Sequence, residues 1–444
     1  MPKSQPVPPR VLGLRDLILF NIAAVVGVRW LAAAAHTGPA SITLWALAAL
    51  FFFVPSALAV SGLTSKFPDQ GGIYVWTRRS FGDWHGFLCG WCYWLSNLFY
   101  FPNLLLAGIG MAVYAFGERY VALADNRGFV VAVSLAVLWV ALLTNLFGLR
   151  IGRWTENAGG LATYAAGVML IVLGAAVWAL HGSATRLTFA PEWNWDRINF
   201  WSQIAFAFGG LELGAIMGGE IRNPGKTVPR AAWISGLAIA GFYILGTLAI
   251  LAVLPPDRVN ILTGLTQAGA AAAEQLSMPS LAPLLAILIT AGVTGQLGAW
   301  LSGSARVPFA IGLDRYLPSA FGRLHPRWQT PHVAILTQGA ACTVFLLAML
   351  SGESLRVGYQ LLVDMTVITY FIPFLYLFAA ALRHGRRASA VSGLAVTAAA
   401  IAFSLVPPAG VDSAWLFEAK LAGGCLLLIG AGRIAFLRGK QRRA

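Results

Sequence analysis

Long unbroken apolar runs are the feature that most limits what this chain can become. They last roughly 18 to 30 residues and show no alternation of polar and apolar positions. The hydrocarbon core of a bilayer takes about 20 helical residues to cross. Backbone groups facing lipid must find partners within the segment or in a closed barrel. Without alternation a barrel has no basis, so the runs read as membrane-spanning helices. Composition agrees: 58% of the 444 residues are hydrophobic and 11% are charged, against about 25% charged in soluble domains.

Twelve spans are predicted, near 16–36, 41–63, 84–116, 129–148, 158–181, 200–220, 231–254, 281–304, 333–350, 357–382, 388–408 and 414–437. With the N-terminus placed inside, the inner tails and loops hold 23 of the 31 Lys and Arg residues, and the outer side holds 7. The remaining one, Arg29, falls within span 1. An inner excess of Lys and Arg orients membrane proteins, so both termini are expected in the cytoplasm. The net charge of +14 then belongs to the inner membrane face and calls for no nucleic acid. The Pro-rich start, residues 1–15, has no apolar stretch followed by a cleavage site and reads as a cytoplasmic tail. The connection 255–280 is expected to carry a short surface helix. The connection 305–332 is basic and amphipathic.

Cys89, Cys92, Cys342 and Cys425 all lie in apolar runs. Cys89 and Cys92 form a C-x-x-C, yet no second Cys or His pair has metal-ligand spacing. Packing is the reading, with no metal and no cofactor expected. The six histidines lie near loops or span ends, so no converging nucleophile, base or metal set points to an enzyme. His36 is a boundary residue and a gating candidate.

Three charges lie deep in spans: Arg29, Glu212 and Asp364. An ionised residue at a helix centre costs about 2.5–3.5 kcal/mol on insertion scales, so it tends to face a partner or a wet cavity. All three are coupling candidates. Arg29 and Glu212 sit beside glycines, in NIAAVVGVRW and FAFGGLELGAIMGGE. Glycine weakens a helix by about 1 kcal/mol relative to alanine. Two such segments in corresponding positions of two halves point to broken helices at a midplane site. A break frees N–H groups, which suit a carboxylate, and C=O groups, which suit an ammonium. Five spans separate the two segments, so spans 1–5 (16–181) and 6–10 (200–382) read as an inverted repeat. Spans 11 and 12 (388–437) would be peripheral, with a tail at 438–444.

Three stretches carry a resemblance. FPDQGGIYVWTRRSFGDWHGFLCGWCYW (67–94), GGEIRNPGKTVPRA (218–231) and SARVPFAIGLDRYLPSAFGRLHPRWQTP (304–331) resemble the motifs after the second, sixth and eighth helices of amino acid–polyamine–organocation transporters. The pattern is most similar to bacterial glutamate/γ-aminobutyrate antiporter-like members. The resemblance implies an all-α integral membrane fold of about twelve helices, a five-plus-five inverted repeat and two peripheral helices. It implies transport of an amino acid or related amine by alternating access in a bacterial inner membrane, as proton-coupled symport or exchange. Val25, Val26, Gly27 and Val28 would meet the substrate's carboxylate, with help from Arg29. Phe208, Gly209, Gly210 and Leu211 would offer carbonyls to its amine. Asn97 resembles a substrate-touching asparagine of helix 3, Trp300 a tryptophan of helix 8, and Glu212 a helix-6 glutamate. Arg29 and Glu212 are expected to pair when no substrate is present.

The chain also departs from the family. Its usual helix-1 G-S/T-G is absent, and no lysine occurs in 156–181, where Thr163 lies near the coupling lysine of some members. The short C-terminal tail is too small for an antiporter plug. A non-transporting nutrient sensor or partner subunit on the same fold is the alternative reading, and a homodimer stays open. The loop KFPDQGGIYVWTRRSFG lacks the signature of major facilitator transporters.

Overall fold

Fold and site were analysed in a computed structural model that describes residues 13–67, 72–147, 149–190, 195–216, 221–328, 330–350, 354–408, 411 and 413–443. Most of the predicted N-terminal tail, the motif residues 68–71 and the end of span 6 at 217–220 lie outside the described residues.

The described residues form helices at all twelve predicted spans. We label them α1 (Leu14–Val25 and Arg29–Thr37), α2 (Ser41–Lys66), α3 (Asp83–Ala112), α4 (Arg127–Leu146), α5 (Leu149–His181) and α6 (Trp195–Phe206 and Leu211–Ile216). The second half continues with α7 (Pro224–Val253), α8 (Leu281–Ser304), α9 (His332–Leu350), α10 (Leu355–Arg383), α11 (Arg387–Ser404) and α12 (Ala414–Glu418, continuing through a π-helical turn into Gly424–Arg443). Nine are long and apolar enough, uninterrupted, to cross a bilayer. The other three are α9, which is short, and α1 and α6, which are each interrupted. The chain is a multi-pass membrane protein.

Several helices outrun their apolar stretch. α5 begins at Leu149, ahead of the predicted 158, and α12 continues through the predicted tail to Arg443. Gly439 is the one glycine in 438–443 and no proline occurs there. A single glycine weakens a helix by only about 1 kcal/mol, so the helix runs on past the end of the apolar run. Two short helices occupy predicted connections, Gly264–Gln275 and Arg306–Leu313. A π-helical turn at Ala49–Phe53 precedes Pro55 in α2. Proline has no N–H to return to the preceding turn, and such a spot favours a wider turn.

Burial sorts the helices into a centre and a rim. α3 buries 83% of its most apolar stretch and α10 buries 72%, against 22% for α4 and α12 and 28% for α11. The rim helices therefore present their apolar side chains to lipid. Lipid tails are as apolar as leucine, so helix association in a bilayer depends on close packing through small residues. α5 and α8 show this. A Cβ added at Gly159 would sit 2.5 Å from the Cα of Gly295, and one at Gly292 would sit 2.4 Å from the Thr163 hydroxyl. α5 meets α7 in the same way, at Gly174 against Ala249.

Gly159→Val is expected to separate α5 from α8. Overpacking of this kind costs about 1–3 kcal/mol, so the detergent-solubilised variant should melt several degrees lower than the parent. An unchanged melting temperature would show that the glycine contact does not hold these helices together.

Candidate functional site

The interruptions in α1 and α6 build the site. In α1 the helix ends at Val25. Val26 turns extended (φ −66°, ψ 108°), and helix resumes at Arg29. In α6 the break covers Ala207–Gly210, and Gly210 takes φ 123°, a conformation L side chains rarely adopt. β-branched residues around Gly27 and the Gly209-Gly210 pair are weak helix formers, which is why the breaks fall there.

One side chain joins the two breaks. The Tyr243 hydroxyl, from the middle of α7, accepts the Gly27 N–H at 3.1 Å. It lies 2.8 Å from the Val25 carbonyl and 2.9 Å from the Ala207 carbonyl. Its single proton serves one of these carbonyls at a time. The ring is held by stacking on Trp45 (centroids 4.4 Å, 15°) and by the edge of Phe208. From α8, Gln296 Nε2 reaches the Val26 carbonyl at 3.4 Å.

A central cavity adjoins the breaks. It is bordered by Val25, Trp30, Asn97, Gly209, Trp300 and Tyr370, with Ser96, Tyr100, Phe206, Ala207 and Thr366 completing the wall. The rings interlock: Trp30 on Phe206 at 5.4 Å, Phe206 on Tyr370 at 5.0 Å, and Tyr100 on Trp300 at 5.4 Å. Its volume is about 20 Å³, room for roughly one water molecule.

The predicted site residues divide. Val25, Asn97, Gly209 and Trp300 border the cavity. Asn97 donates from Nδ2 to the Tyr93 carbonyl at 2.8 Å, while its buried Oδ1 accepts no bond among the described residues. Gly27 leaves room for Trp30, since an added Cβ would lie 2.6 Å from the indole nitrogen. Phe208 and Leu211 do not border it. The Phe208 ring packs on Trp45, Phe53 and Tyr243. Leu211 lines a separate space of about 10 Å³ with Leu17, Asn21 and Ala57. The turn at Gly210 points both side chains away, and Ala207 supplies the carbonyl at the junction with α1.

The expected Arg29–Glu212 pair is absent. Glu212 is fully buried, and its Oε1 accepts the hydroxyls of Tyr370 (2.6 Å) and Tyr93 (3.2 Å). Its Oε2 accepts the Gly210 N–H at 3.1 Å. The carboxylate is thus turned back onto its own helix break and onto α3 and α10. Arg29 stands instead with its Cζ 4.3 Å from the Trp30 ring centroid and 4.6 Å from that of Tyr100.

Asp364 lies away from the cavity wall. It accepts Asn199 Nδ2 at 3.1 Å and Gln360 Nε2 at 3.1 Å, and Asn199 also reaches the Val406 carbonyl at 2.9 Å. This knot ties α6 to α10 and to the end of α11. His36 bonds the Val259 carbonyl through Nδ1 at 3.1 Å and meets the Phe200 ring at 5.4 Å. It anchors the far end of α1. All four cysteines are buried and free.

Sequence reasoning missed Tyr243, Tyr93, Tyr370, Trp30 and Gln296. A lone tyrosine in the apolar FYILGTLAILAV of α7 was the available signal. A buried hydroxyl needs a partner, and the freed backbone of the breaks needs donors and acceptors.

The model of the amino acid permease family matches residues 12–411. The chain belongs to that family. An uncharacterized transporter of Legionella pneumophila is 28% identical, with 95% of each chain covered. The serine/threonine exchanger SteT of Bacillus subtilis is 25% identical, with 82% of each covered. Among solved structures, MhsT in complex with L-phenylalanine superposes with a TM-score of 0.58 over 96% of this chain and 99% of that one, at 14% identity. That likeness concerns the fold.

Tyr243→Phe removes the hydroxyl that joins the breaks and leaves Gly27 N–H and a buried carbonyl without partners. An unsatisfied buried group costs about 1–3 kcal/mol. The variant should melt at a lower temperature and exchange the amide protons of 25–28 and 207–210 faster in deuterium-exchange mass spectrometry. Unchanged protection there would remove Tyr243 from this role.

Proposed function

We propose that this permease carries amino acids or related amines across the cytoplasmic membrane of a bacterium by alternating access, through proton-coupled symport or exchange. The observation that carries the reading is the meeting of two interrupted helices at Tyr243, beside an aromatic-walled cavity at mid-span. Substrate sites in secondary transporters lie at such discontinuous helices. Residues 16–181 and 200–382 act as the two inverted repeats, with 388–437 peripheral. The Lys and Arg asymmetry favours both termini in the cytoplasm.

In this reading the N–H groups opening the second half of α1, at Val28 and Arg29, face the carboxylate end of the substrate. Carbonyls of the α6 break and the open Oδ1 of Asn97 take the ammonium. Trp300 and Tyr100 wall one side. The cavity holds about one water, so a substrate enters only when the helix halves rotate about Val26–Val28 and Ala207–Gly210. Glu212, Arg29, Asp364 and His36 are the coupling and gating candidates. Thr163 gives its hydroxyl to the Gly159 carbonyl, so a proton site at this point of α5 has no support.

Purified protein in liposomes, tested with a panel of radiolabelled amino acids, decides. Uptake above protein-free vesicles is expected for at least one of them. Stimulation by an inward proton gradient indicates symport, and stimulation only by internal substrate indicates exchange. No flux of any compound, in either format, would overturn the transport reading in favour of a sensor. Glu212→Gln, which loses a charged acceptor of three hydrogen bonds, should slow the same flux at least about tenfold, the equivalent of one lost charge-assisted bond. Full activity would exclude Glu212 from coupling.

A further inference from the structure

Arg29 is 3% exposed, and none of Nε, Nη1 or Nη2 makes a hydrogen bond among the described residues. No described carboxylate stands within the 4.0 Å of an ion pair. Removing one partner of a buried charge pair is strongly destabilising because the other is left uncompensated. A guanidinium in a bilayer centre therefore marks a function by default. What holds Arg29 in place is aromatic. Trp30 and Tyr100, two walls of the central cavity, stand at 4.3 and 4.6 Å from its Cζ.

These ring contacts use no N–H group, and the guanidinium donors have no hydrogen-bond partner among the described residues. A guanidinium is a fork of donors matched to the two oxygens of a carboxylate. Backbone capture at the same break is already partly used. The Gly27 N–H is bound to Tyr243, and the N–H groups of Trp30 and Leu31 turn back to the carbonyls of Gly27 and Val28. The strongest free donors beside the cavity are those of Arg29.

We propose that Arg29 binds the carboxylate of the substrate, so that the site accepts carboxylate-bearing amino acids and rejects amines that lack one. This rests on the central site being the substrate site. The substrate then serves as the counter-ion that the described residues do not supply. Buried between Trp30 and Tyr100, the side chain has little freedom left to lose when the carboxylate arrives. The zwitterion's ammonium is left to the α6 carbonyls and Asn97.

The test is thermal melting of the purified protein, with each common L-amino acid beside its carboxamide and its decarboxylated amine. At least one amino acid should raise the melting temperature, and its carboxamide and amine should bind on the order of 100-fold more weakly, the upper end of what one lost charge-assisted hydrogen bond costs. Arg29→Met should raise the melting temperature of the unliganded protein, since it removes an uncompensated charge, and should abolish the shift with amino acid. Arg29→Lys keeps the charge without the fork and should recover part of that shift. A stabilising role for the arginine predicts the opposite, a lower unliganded melting temperature in Arg29→Met. That result would overturn the proposal. So would an amine that binds as tightly as its amino acid, discrimination that survives in Arg29→Met, or no shift with any carboxylate in the panel. Binding with this selectivity but no flux in liposomes would sink the transport reading and leave the role of Arg29 standing.

Discussion

A carbonyl or N–H released from a helix inside a bilayer has no water to turn to. The protein breaks two helices at mid-depth and so frees several such groups at once. Tyr243 answers that constraint. One hydroxyl, which can both donate and accept, takes the Gly27 N–H and sits between the carbonyls of Val25 and Ala207. A methionine or leucine could fill the same volume, but the breaks would then carry unpartnered backbone. The surrounding rings of Trp45 and Phe208 keep the hydroxyl on target. Trp45 is itself pinned by its indole N–H on Thr247, one turn further along α7. The junction of α1 and α6 is therefore built from outside those two helices, by α7 and α2.

The same logic governs Glu212. A carboxylate in this setting needs donors, and it finds two tyrosine hydroxyls and its own helix's Gly210 N–H. Hydroxyls differ from a cationic partner in one respect: they can reverse, accepting a hydrogen bond from a protonated carboxyl as readily as they donate one to a carboxylate. Tyr93 and Tyr370 can thus accompany a change of protonation at Glu212 without leaving their places. Tyr370 also borders the cavity and packs on Phe206. A change at Glu212 would be felt in the wall that a substrate touches.

The fold was largely legible because the bilayer writes it into hydropathy. Run length gives the helix count, and the two glycine-bearing runs give the places of interruption. What was not legible was the direction in which each side chain leaves a broken helix. Phe208 and Leu211 flank the very break that the sequence marks, yet both point away from the cavity. Gly210 in a positive-φ conformation reorients the chain by an angle that no periodicity encodes. The partner of Glu212 was misjudged for a related reason. Opposite charges suggest a pair from sequence alone, whereas the carboxylate is reached first by tyrosines of α3 and α10. Asn97 and Trp300 came from the resemblance to a helix-3 asparagine and a helix-8 tryptophan, and both sit on uninterrupted helices whose side chains reach the cavity wall.

Separate tethers hold the two halves of each interrupted helix. In α6 the first half is bound through Asn199 to Asp364 of α10 and to the end of α11. The second half is bound through Glu212 to Tyr93 and Tyr370. In α1 the first half reaches α7 through Asn21 and Ser235 at 3.4 Å, and the second half reaches the Val259 carbonyl through His36. The Tyr243 hydroxyl bonds the two breaks to each other, and Tyr370 of α10 bridges the α6 break, bonding Glu212 on one side and packing on Phe206 on the other. A hinge needs a few residues that can absorb a change of φ and ψ between bodies that stay intact. Val26–Val28 and Ala207–Gly210 meet that requirement, and because both converge on one hydroxyl, a rotation at either break alters the hydrogen bonds of the other. On the transport reading, this shared hydroxyl gives the two helices a physical reason to move together, and α10, which holds one half of α6 at Asp364 and the other at Tyr370, must yield at one of these contacts when α6 bends.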